Sequence, residues 1–131
     1  MLNSGIVGAE QIVELTPPIA AVFEAHAVHR NLCATLTLVD DADRWIQVTR
    51  GELNVAYPHA RDPAASAAEL GLPSWATLSL LDWEENSYAT FEFDEHLPAA
   101  DVARIADTLL IKLAGAPADY APDIEVFEIP P

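Results

Sequence analysis

The chain has 131 residues, with 21 acids against 6 bases for a formal charge of −15, and 51% of it is apolar. A chain of this length and apolar content can bury about two-thirds of its unfolded surface in one core, so it reads as a single domain over residues 1–131, with 1–11 a loose start and 116–131 a C-terminal extension. One lysine and five arginines cannot make the basic stripe that nucleic acid or anionic membrane requires, and the lone Cys33 excludes a disulfide framework.

Met1 to Gly8 lack the basic flank and long apolar stretch of a signal peptide, and no apolar run approaches the roughly 20 residues of a spanning helix, so the cytoplasm is the expected compartment. Ile12, Leu15, Ile19, Val22, Phe23 and His26 recur at steps of three or four, the stripe of an amphipathic helix. Pro17 and Pro18 interrupt it. The expected form is a short piece ending near Leu15, then a helix capped by Thr16 with Pro17 in its first position.

After Arg30 the period changes to two. Leu32, Ala34, Leu36 and Leu38 share one strand face, and the acidic turn Asp40 to Asp43 leads to a second strand, Arg44 to Thr49, with Ile46 and Val48 inward. Arg50-Gly51 reads as a tight connection to a third strand, Glu52 to Tyr57, with Leu53, Val55 and Tyr57 on one face. The crossover Pro58 to Pro73 contains a short helix, Ala65 to Leu70, stopped at Gly71. Two further strands, Thr77 to Trp83 and Tyr88 to Asp94, flank the polar loop Glu84-Glu85-Asn86-Ser87.

The closing helix has Pro98 in its first position, Asp101 in its first turn, and Val102, Ile105, Ala106, Leu109 and Leu113 as its stripe. Asp123 to Ile129 is an edge strand or an extended tail. The fold class is α+β: an antiparallel sheet of about five strands with N- and C-terminal helices packed on it, in the order α-β-β-β-α-β-β-α. Ile46, Val48, Leu53, Val55, Phe91, Phe93, Ile105 and Leu109 are expected to meet in one core.

Catalytic signatures are missing. GxxxxGK[ST], GxGxxG and GxSxG do not occur, and His26, His29, His59 and His96 with one thiol do not give the ligand spacing of a metal site, so no enzyme activity, metal or cofactor is expected. Cys33, inside a strand among small and apolar residues, reads as an inert hydrophobe. The acids at the ends of the second hairpin read as a solvated edge.

The aromatics are more informative. Trp45 alternates out of phase with Ile46 and Val48, Trp83 shares its phase with Leu81 and Ser79, and Tyr88 lies opposite Phe91 and Phe93. Either this second sheet face takes a partner or another copy of the chain, or the crossover and C-terminal tail cover it. The binding residues of the first reading are Trp45, Trp83 and Tyr88 as anchors, with Glu84, Glu85, Glu92 and Asp94 as a charged rim.

Arg44-Trp45-Ile46-Gln47-Val48 followed by Gly51-Glu52-Leu53, then Ala68-Glu69-Leu70-Gly71-Leu72-Pro73, then the helix from Ala100 to Gly115, resembles the type III secretion chaperone-like and YbjN-type domain families. The resemblance implies a small, acidic, non-enzymatic protein, often a homodimer, that binds another polypeptide such as a client or effector. The paired prolines and the extension Asp119 to Pro131 depart from that pattern. An acidic immunity protein that blocks a cognate toxin is the competing expectation.

Overall fold

The structure, a computed structural model, describes residues 4–129. Helix α1 (Ser4–Ala27) runs unbroken through Pro17 and Pro18, which corrects the expected break. Each proline removes one i→i−4 bond, leaving the carbonyls of Val13 and Glu14 without their helical donors. Both residues are exposed, so water takes those bonds. Thr16 is no cap; its hydroxyl donates to the Ile12 carbonyl at 2.7 Å. The inward stripe is Leu15, Ile19, Val22 and Ala25, while His26, expected on it, is exposed.

The helix closes in a Schellman turn. Arg30 N–H donates to the Ala25 carbonyl and His29 N–H to that of His26, with His29 in the left-handed region at φ 63°. Strands β1 (Leu32–Leu38), β2 (Asp41–Thr49) and β3 (Glu52–Tyr57) then form the expected meander, joined at Arg50-Gly51 with Gly51 at φ 91°. Helix α2 (Pro63–Ala68) begins two residues earlier than the apolar pattern indicates, because the Asp62 carboxylate caps it by accepting from the Ala64 N–H at 2.8 Å.

Strands β4 (Ser79–Glu84) and β5 (Ser87–Glu92) make a hairpin around Glu85-Asn86, with Asn86 at φ 58°. Helix α3 (Ala99–Lys112) takes Pro98 as its N-cap rather than its first residue. The tail is β6 (Pro122–Glu128), paired antiparallel along the whole of β1, so the sheet has six strands rather than five. Its order is β4-β5-β3-β2-β1-β6, antiparallel throughout.

Helices α1 and α3 pack on one another and on one sheet face, closing a core in which all eight expected residues are buried. The segment between α3 and β6 is fastened by polar bonds. Buried Tyr120 donates its hydroxyl to Asp107 Oδ1 at 2.7 Å, and its carbonyl accepts from Gln11 Nε2 at 2.6 Å. Arg44 fixes the end of α3 by donating from Nε to the Gly115 carbonyl at 3.1 Å while pairing with Asp41.

Candidate protein-binding face

Since side chains alternate along a strand and paired residues share a face, the strand register defines the sheet surface that α1 and α3 leave open. One row across it runs Asp123, Thr37, Trp45, then Tyr88 and Glu84, with Ala56 between the two rings. The next row is Glu125, Thr35, Gln47, Asn54, Thr90 and Asp82. The third contains Phe127, Cys33, Thr49, Glu52, Glu92 and Ser79.

These rows give a definite chemical pattern. Carboxylates stand on both outer strands, Asp123 and Glu125 on β6 against Asp82 and Glu84 on β4, and Glu52 faces Glu92 directly across β3 and β5. No basic residue occurs in any of the rows, so nothing on this face offsets the repulsion between the opposed glutamates. The middle of the second row is uncharged. Thr90 Oγ1 donates to Asn54 Oδ1 at 3.0 Å, Asn54 Nδ2 to Gln47 Oε1 at 3.3 Å, and Gln47 Nε2 to Thr35 Oγ1 at 3.4 Å, a side-chain chain spanning four strands.

Trp45 and Tyr88 are half-buried, and Ala56 between them is only 3% exposed. The rings therefore cover the small residue and present their outer surfaces to solvent. Tyr88 donates its hydroxyl to Asp82 Oδ2 at 2.7 Å, and this bond to an anion raises the phenol's pKa. Below this row lies a shallow hollow of about 340 Å³ floored by Cys33, Gln47, Asn54 and Thr90, with Phe127 and Ile129 at its side.

Of the expected binding residues, Trp45, Tyr88, Glu84 and Glu92 share this face, whereas Trp83, Glu85 and Asp94 do not. A bulge at Leu81 inserts one residue between the pairs Leu80–Phe91 and Asp82–Thr90, which reverses the phase of the strand. Trp83 is thereby turned to the helix-covered side, half-buried against the core and edge-on to Tyr57 at a centroid distance of 6.3 Å. Glu85 sits at the hairpin tip. Asp94 lies beyond β5, where its carboxylate accepts from the His96 N–H at 2.9 Å.

The sequence reading missed Phe127, 45% exposed on the open face, and the carboxylates of β6 beside it. Their signal, alternation from Asp123 to Phe127, means nothing until β6 is known to pair with β1. The crossover does not cover the open face: α2 and the segment after it line a hollow with Leu80 and Phe91, on the core side.

Cys33 is buried, its pKa raised chiefly by desolvation and partly lowered again by hydrogen bonding to the Thr35 hydroxyl, whose Oγ1 lies 3.9 Å from Sγ, and to the Val48 backbone. Burial thus disfavours the reactive thiolate form. His59 Nε2 lies 3.0 Å from the Leu113 carbonyl, at the end of α3. Among the described residues no three His, Cys, Asp or Glu side chains gather where they could hold one metal ion, and no helix is long and apolar enough to cross a membrane.

No family model, curated protein or solved structure matches this chain.

Proposed function

We propose that this is a non-enzymatic, cytoplasmic protein-binding module that receives a basic polypeptide on its open sheet face. The observation that supports it is the arrangement of the three rows: an aromatic pair and uncharged hydrogen-bonding groups in the middle of the first two, carboxylates on the outer strands and in the third row, and no base among them. Aromatic anchors contribute affinity through desolvated area, whereas rim charges steer approach and reject partners of like sign. The lateral carboxylates are separated by five strand spacings, roughly 24 Å, which suits an extended segment lying across the strands. A second copy of the chain would bring its own acidic rim to the contact, so this face fits a different protein better than a homodimer.

The resemblance to secretion-chaperone-like and YbjN-type domains belongs to the same proposal, with a client or effector as the partner. The acidic rim also fits a second reading, an immunity protein seated on the basic active site of a toxin. Affinity capture from the native cell, with mass spectrometry of what is retained, tests both. A partner held by the wild type and lost with Trp45→Ala/Tyr88→Ala supports the open face, and its activity then separates a client from a toxin. Equal retention by both proteins refutes the reading.

A further inference from the structure

Positive charge is scarce in this chain, yet two of its six bases meet in one place. A hollow of about 230 Å³ opens between the C-terminal end of α1, the β2–β3 turn and the end of β6, and Arg30, Arg50 and His26 all line it. The local structure brings them there. The Schellman turn at His29 doubles the chain back so that Arg30 and Asn31 lie beside His26, and the glycine at position 51, with its positive φ, closes the turn that presents Arg50.

Arg50 is the unusual member. In a chain with 21 acids it makes no ion pair and no side-chain hydrogen bond among the described residues. Its guanidinium instead lies over the Phe23 ring, 4.9 Å from the centroid, and its Nε is enclosed without a partner. Contact with the ring holds the guanidinium in place and leaves N–H groups without a protein acceptor among the described residues, open to an oxyanion. Arg30 has a partner, Glu128 at 3.2 Å, but both side chains are more than half exposed, so that pair is weak and readily exchanged. Val22, Leu32 and Ile129 make an aliphatic part of the wall, beside the polar Asn31 and Thr49.

We propose that this hollow binds a short aliphatic carboxylate, with Arg50 and Arg30 taking the carboxylate and Val22, Leu32 and Ile129 enclosing the alkyl part. A bare phosphate would use the cations and waste the aliphatic wall. Such a group occurs as a free branched-chain acid or as the C-terminus of a peptide ending in an aliphatic residue. The hollow shares Thr49 and Ile129 with the one on the open face, so a peptide seated here can continue onto that face. The proposal itself rests on the hollow alone.

Titration calorimetry and amide chemical-shift mapping with 3-methylbutanoate test it, with Arg50→Gln and the more exposed Arg30→Gln as variants and Arg104→Gln as control. Saturable binding is expected, with shifts at Val22 and Ile129. Each of the two site variants weakens it about tenfold or more, the scale of a charge-assisted hydrogen bond, and the control leaves it unchanged. A folded Arg30→Gln protein that binds normally overturns the assignment even if Arg50→Gln does not fold. Absence of saturable binding, or equal affinity for inorganic phosphate, also overturns it. A peptide ending in valine, compared with its C-terminal amide, identifies the source: tighter binding of the acid than of 3-methylbutanoate indicates a peptide terminus, and equal binding a free acid.

Discussion

The buried pair Tyr120–Asp107 shows how one polar contact ties the extension to the domain. Burial raises the pKa of Asp107 and the Tyr120 hydroxyl, as donor, partly lowers it again. The sign follows from proton linkage: a carboxyl whose folded pKa lies above its unfolded value binds more protons when folded, so stability falls as pH rises through that interval. Asp107→Asn keeps an acceptor for Tyr120 and removes the charge. It should match or exceed wild-type stability at pH 7, with the difference shrinking as pH drops into the carboxylate range. Asp107→Ala leaves a buried phenol unpaired and should cost about 1–3 kcal/mol. Urea unfolding of both variants between pH 4 and 8 checks this. Trp83 gives a second expectation at this scale. With its ring half-buried against Tyr57, Trp83→Ala should cost about 2–3 kcal/mol, below the value for a fully buried ring, and leave partner binding intact.

At the scale of elements, periodicity was sufficient wherever a strand or helix buries one regular face. The meander and α3 follow their apolar patterns, and Leu53, Val55 and Tyr57 are all fully buried as the alternation requires. Phe91→Ala should therefore cost about 3–5 kcal/mol in chemical denaturation, since it removes a fully buried ring between β3 and β4. Gly51→Ala should cost about 1 kcal/mol or more, because a residue with a Cβ is strained at φ 91°, although the added methyl itself meets only ordinary contact. Periodicity failed where a local irregularity or a distant partner decides. The bulge at Leu81 is invisible in composition and reversed the assignment of Trp83, and the continuity of α1 through Pro17-Pro18 depends on which carbonyls face water. Pairing of β6 with β1 joins residues about ninety positions apart, and no local window contains both.

Across the whole molecule, charge and topology act together. The helices close one sheet face, the bases of the chain lie outside the three rows, and the uncovered face is left with acids around an uncharged, aromatic-bearing centre. Three of the seven expected binding residues, Trp45, Tyr88 and Glu92, were legible because they obey simple alternation, whereas Glu84 reaches this face only through the bulge at Leu81. Phe127, Asp123 and Glu125 join them only through the sixth strand. Hydroxyl-radical footprinting of the protein alone and with its captured partner tests the central claim most directly. Oxidation of Trp45, Tyr88 and Phe127 should fall on binding, while Trp75, 42% exposed in the segment between α2 and β4, keeps its free rate. Protection of Trp75 with unchanged oxidation of Trp45, Tyr88 and Phe127 would contradict the account.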